Sequence, residues 1–235
     1  MIDLHTHLWP HQPGTELPTY DDLARLCEIA AARGVEQIAI TEHCNRFEEI
    51  ADIALPLWRR DGELEVRAEA DRVWAQERGA HLDAYVDLLL TAQARGLPLL
   101  VGLEVDHLPG ANEAIGEVLG QYPFDILLGS VHWLGSWLFD AYDNAVFGAA
   151  WQRRSTEDVW DDYTNAVADL AMTGTVDVIA HLPVARPPPA ASHRWGGSHH
   201  GVRRPHRGSP RLRVPSRSRS VVRPRSPECR DILHS

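Results

Sequence analysis

The stretch "MIDLHTH" places His5 and His7 two residues apart at the end of a short apolar run. On a β-strand such a pair leaves the same face, which suits two imidazoles on one metal ion or on neighbouring ions. An isolated His-x-His carries little weight, because a single histidine is more often a satisfied core residue. The weight comes from repetition. His43 ends "VEQIAITEH", Glu104 lies in "LPLLVGLEVDH", His132 ends "FDILLGSVH" and His181 falls in "VDVIAHL". His11 follows in a loop past Pro10 that could fold back over the same place. These are nitrogen and oxygen donors, a set suited to Zn, Mn or Fe rather than to a structural zinc–thiolate site. Cys44 is the one neighbouring thiol and reads as a packed side chain. Glu104 could bridge two ions. Arg46 is a candidate for phosphate or carboxylate binding, weighed against an ordinary surface arginine. Asp106 and His107 could orient ligands through hydrogen bonds, weighed against simple loop polarity.

Five strands must carry these residues, and helices must separate them. "TYDDLARLCEIAAARG" has Thr19 as an N-cap and Gly34 as a stop. A long amphipathic stretch runs from about residue 62 to residue 96, and "NEAIGEVLGQYP" predicts a short helix. "STEDVWDDYTNAVADLAMTG" opens on a capping-box pattern at Ser155 and Asp158. Strands alternating with helices predict parallel βα units, hence an α/β fold. In such folds sites are built at the carboxyl ends of the strands, where the His and Glu residues fall.

The 235 residues suit one domain, or one domain with a tail, and 44% of them are hydrophobic. No apolar run approaches the roughly 18 to 20 residues that span a bilayer. "MIDLHTHLWPHQ" has neither the basic start nor the apolar stretch of a signal peptide. The three cysteines are widely spaced, which argues for a reducing cytoplasm. Nothing in the sequence fixes an oligomeric state. The net charge of −10 conceals a split: residues 1–185 carry −20 and residues 186–235 carry +10, with no lysine anywhere. Residues 186–235 are rich in Arg, Pro, Ser, Gly and His, a composition that predicts disorder.

The segments "DLHTH", "TEH", "GLEVD", "YPFDILLGSVHWLG" and "VIAHL" resemble the successive motifs of the PHP (polymerase and histidinol phosphatase) family, in order and in spacing. The likeness covers about residues 1–184 and is strongest to the histidinol-phosphatase branch. It implies a TIM-like, distorted (β/α)7 barrel, here incomplete with about five βα units. It also implies a cluster of up to three divalent ions. His5, His7, His43, Glu104, His132 and His181 match family ligands, and His11 matches less securely because its loop varies in length. The implied reaction is hydrolysis of a small phosphate monoester by a water that the ligand set holds, with no separate catalytic residue. In the branch concerned that ester is L-histidinol phosphate, cleaved to L-histidinol and phosphate in histidine biosynthesis. Other small phosphomonoesters are the alternative.

The chain departs from the family after His181. No Ser-Asp-x-His motif, which in the family donates two late ligands, occurs downstream, and "HLPVARPPP" replaces the expected loop. This divides the chain into a PHP phosphoesterase domain, residues 1–184, and a tail, residues 185–235. A natural Arg-rich tail competes with a reading-frame shift near Leu182, and the composition favours the shift. Lysine-free coding suggests GC-rich DNA, which out of frame yields mostly Arg, Pro, Ser, Gly, Ala and His. Low activity and poor stability are expected, because a barrel without its last strands leaves strand edges open. A nucleic-acid-binding role for the basic tail is the weaker reading. Counterion release would favour it, but the tail offers a single aromatic, Trp195, and no recognisable fold.

Overall fold

A computed structural model of the chain describes residues 1–9, 16–58 and 62–180. The fold is α/β, built on a five-stranded parallel sheet in the order β1 (Ile2–Thr6), β2 (Gln37–Ile40), β3 (Leu99–Asp106), β4 (Ile126–Ser130), β7 (Val178–Ile179). Strand alternation divides the sheet into two faces. Leu99, Val101, Leu103 and Val105 of β3 enter the large core shared with the helices. Ala39, Ile126 and Leu128, with Leu100, Val178 and Ala180 packed against them, form a smaller apolar cluster on the other face. Glu104 and Asp106 share that second face with Leu100, two and three alternate positions further along β3. The pairing of β1 with β2 shifts register between Asp3 and Thr6. Such an irregularity re-aims side chains, here just before His7.

The described sheet ends at β1 on one side and β7 on the other. Ile2 and Leu4 of β1 are exposed. This open parallel sheet is the architecture of an incomplete barrel, in line with the sequence-based expectation.

Gly102 lets β2 and β3 approach. A Cβ there would stand 2.7 Å from Thr41 Cγ2 and 2.9 Å from the Ile40 carbonyl oxygen. Gly102→Ala is therefore expected to destabilise the fold by about 1–3 kcal/mol through overpacking. Urea denaturation of the purified variant checks this, and an unchanged midpoint would count against it.

The helices follow local chemistry. Thr19 and Asp22 close a reciprocal capping box at the start of α1 (Tyr20–Ala32). Ser155 caps α7 (Thr156–Thr173), which Gly174 ends with φ 68°. The single amphipathic stretch expected over residues 62–96 is two helices, α3 (Leu64–Glu77) and α4 (Leu82–Ala94). Between them Gly79, at φ 132°, turns the chain so that the Gly79 and Ala80 amides both donate to the Arg46 carbonyl at 3.1 Å. Helices α2 (Glu48–Trp58) and α6 (Ala145–Trp151) were not anticipated, and α5 (Asn112–Leu119) was. A short antiparallel hairpin was also unforeseen; it joins β5 (Trp133–Leu134) to β6 (Trp137–Leu138). No helix among the described residues is long and apolar enough to cross a membrane.

Candidate metal centre

Glu104 is the hub. It lies in the middle of the sheet with no exposed surface. Its backbone amide donates to the Glu42 carbonyl at 2.9 Å, and an isolated parallel bridge sets His43 beside it. Three imidazoles converge on one carboxylate oxygen: His5 Nε2 at 3.3 Å, His7 Nε2 at 3.4 Å and His43 Nδ1 at 2.9 Å from Glu104 Oε2. His132 Nε2 approaches the other oxygen, Oε1, at 3.7 Å. His5 Nε2 and His7 Nε2 are themselves 3.0 Å apart, and the His7 and His43 rings stack at 4.5 Å.

Two groups of potential ligand atoms result, one of His5, His7 and Glu104, the other of His43, Asp106 and His132. Within each, the atoms lie within 4.8 Å of one another. Glu104 faces both groups, since its second oxygen is directed at His132. A buried carboxylate is costly unless cationic charge or donors surround it. Nitrogen lone pairs converging from several strand ends supply a setting in which divalent cations provide that charge, so the donor set fits metal ions. All its donors are nitrogen or oxygen, the borderline-to-hard set.

Asp106 Oδ1 accepts from His132 Nδ1 at 2.7 Å, which turns Nε2 of that ring toward Glu104. Burial pushes the His132 pKa down, but the carboxylates of Asp106, Glu104 and Asp140 outweigh it and raise the value to about 10. Cys44 lies behind the site with its Sγ accepting from the Asp106 amide at 3.3 Å. Burial, and then the Asp106 charge, push its thiol well above the usual range. A thiol so disposed stays protonated and is a packing group rather than a ligand.

Other sequence-based candidates lie elsewhere. Arg46 is neither at the surface nor in the cavity beside the cluster. It is 1% exposed, with Nε 3.7 Å from Glu42 Oε2 and its guanidinium 5.2 Å from the Trp9 ring centroid. Arg46 thus packs behind the cluster, against Glu42 and Trp9. His107 is buried and lines a separate small cavity with Trp133 and Asp169. His11 and His181 lie outside the described residues, as does the segment from residue 185 onward.

The cluster opens into a cavity of about 550 Å³. Its other wall holds Asn45, Glu77, Trp133, Asp140 and Asp143. The Asn45 amide donates to Glu77 at 2.7 Å. Asn45, Glu77, Asp140 and Asp143 were not foreseen. They come from the turn after β2, the end of α3 and the loop after β6, and no local spacing ties those segments together.

A family model described as "PHP domain" matches residues 5–195. The chain belongs to the PHP family. It is also 27% identical over 186 residues to a Deinococcus radiodurans protein described as "Probable histidinol-phosphatase", an alignment covering 78% of this chain and 60% of the relative. The PHP chain thus spans about 60% of the length of the relative it matches. Both comparisons agree with the resemblance read from the strand-end motifs.

Proposed function

We propose that this PHP chain is a metal-dependent phosphomonoesterase of the reducing cytoplasm whose substrate is L-histidinol phosphate. The observation that carries the proposal is the convergence of His5, His7, His43 and His132 on the buried carboxylate of Glu104. In this reading these five side chains hold divalent ions (Zn, Mn or Fe), with His11 and His181 completing the set. Asp106 orients His132. Such ions, when bound, neutralise phosphoryl charge and bring the pKa of water into the neutral range. The side chains do the placing: four imidazoles fix where the phosphate end must sit, and no separate nucleophilic residue is required. Residues 1–184 would form the phosphoesterase domain and residues 185–235 an appended tail. Turnover is expected to be low, since the sequence after His181 offers no Ser-Asp-x-His pair.

The far wall supports the choice of alcohol. Glu77, Asp140 and Asp143 line the cavity, and among the described residues no Lys or Arg does. Carboxylates there disfavour an anionic alcohol moiety and suit the ammonium and imidazole of histidinol, with the Trp133 indole lining the same space. Asp143→Asn is expected to raise KM for histidinol phosphate by up to about fivefold, the scale of an exposed ion pair. KM for p-nitrophenyl phosphate should stay unchanged. Equal shifts for both esters would refute the assignment. The reaction itself is tested by phosphate release from histidinol phosphate with added Mn²⁺ or Zn²⁺ against an EDTA control. Release from other small phosphomonoesters alone would move the proposal to a different ester, and release from none would reject it.

A further inference from the structure

Glu42 faces away from the cavity, yet it is wholly buried and sits at the back of the cluster. Its Oε1 accepts from the backbone amides of Leu8 at 2.5 Å and Trp9 at 2.9 Å, the two residues that follow His7. Its Oε2 lies 3.8 Å from His7 Nδ1, beyond a hydrogen bond but near enough to favour a proton on that nitrogen, and 3.7 Å from Arg46 Nε. The His7 ring therefore stands between two carboxylates, with Nδ1 toward Glu42 and Nε2 toward Glu104. Glu42 itself is held in place on β2's extension. Its amide meets the Tyr85 hydroxyl at 3.4 Å, and that hydroxyl also lies 3.0 Å from the carbonyls of both Ile40 and Gly102.

We propose that Glu42 is a positioning residue that keeps His7 in the Nδ1–H tautomer, with the Nε2 lone pair turned toward Glu104, and that anchors the segment after β1 to β2. The proposal rests on reading the cluster as a metal centre. The Leu8 and Trp9 amides occupy Oε1 and fix the plane of the carboxylate, which leaves Oε2 facing His7 Nδ1 and Arg46 Nε. A carboxylate behind a ligand imidazole fixes the ring's tautomer and orientation, and removing such a partner commonly costs about 10- to 100-fold in metal affinity. Arg46 gains a role in this arrangement: it braces Glu42 rather than meeting substrate.

The test uses the full chain and Zn²⁺ alone as the probe. Glu42→Gln is expected to weaken Zn²⁺ binding about 10- to 100-fold, with Glu42→Asp intermediate and the far-UV circular dichroism of both unchanged. Long-range ¹H–¹⁵N spectra of the wild type should show His7 as the Nδ1–H tautomer. Wild-type affinity in Glu42→Gln, or an Nε2–H His7 in the wild type, overturns the proposal. If Glu42→Gln does not fold, the wild-type tautomer decides. If the wild type takes up no Zn²⁺, the metal reading fails, and the tautomer of His7 in that same sample still decides the role of Glu42.

Discussion

Glu104→Gln is expected to reduce phosphatase turnover by about 10²- to 10³-fold or more, the scale seen when one preorganised electrostatic group is removed from a site. The substitution preserves shape and deletes charge. It strikes the atom on which His5, His7 and His43 converge, and the opposite oxygen that meets His132. Bound metal should fall with activity, because a neutral amide neither bridges cations nor offsets their charge. Stability in EDTA should not fall, and could rise, since the side chain is fully buried and an interior carboxylate is costly to desolvate. Activity loss without loss of fold is the signature to measure, by phosphate release and urea unfolding on the same preparation. A variant that turns over within a few-fold of wild type would remove Glu104 from the reaction.

Trp74→Ala is expected to have the opposite profile, a loss of about 3–5 kcal/mol of stability. Among the described residues Trp74 is the largest side chain with no exposed surface. It sits on α3 with its ring centroid 6.3 Å from that of Trp133, which in turn meets Phe147 edge-on at 6.1 Å. Removing the indole leaves a cavity behind the β5–β6 hairpin, and Trp133, which lines the cavity beside the cluster, loses its backing. Domains of this size have only about 5–15 kcal/mol in total, so the variant should unfold at much lower urea, with KM raised in whatever remains folded. Trp74→Phe should retain part of the loss. A Trp74→Ala midpoint within 1 kcal/mol of wild type would show that the neighbouring rings repack freely.

The contrast between these two residues explains what the sequence could reveal. Glu104, His43 and His132 could be placed from sequence because a parallel strand announces itself by a short apolar run, and its carboxyl end follows directly. Period-two alternation then put His5 and His7 on one face. Glu42 escaped notice although it stands next to His43. Its partners are the backbone amides of Leu8 and Trp9, more than thirty residues away, and backbone groups leave no trace in residue identity. Arg46 was expected at the surface or on substrate for a related reason. Nothing local shows that Trp9 and Glu42 fold over it. Asp140 and Asp143 reach the cavity through the turn that follows an unforeseen hairpin, so their position depends on tertiary packing of Trp133 and Trp137.

The same limit applied to the helices. Capping at Thr19 and Ser155 is written in three or four consecutive residues and was readable. The break between α3 and α4 was not, because it is made by pairing of Ala80 with Phe47, a contact across the fold. Helix α2 carries Pro56 inside it, which in isolation argues against a helix there.

The proposed phosphatase chemistry requires that the imidazoles of His5, His7, His43 and His132 share cations with Glu104. Anomalous diffraction from crystals grown with Mn²⁺ or Zn²⁺, recorded on both sides of the metal's absorption edge, tests it most directly. Edge-dependent density is expected within coordination distance of Glu104 and at least two of those four rings. Crystals saturated with either metal that show no such density beside Glu104 would contradict it.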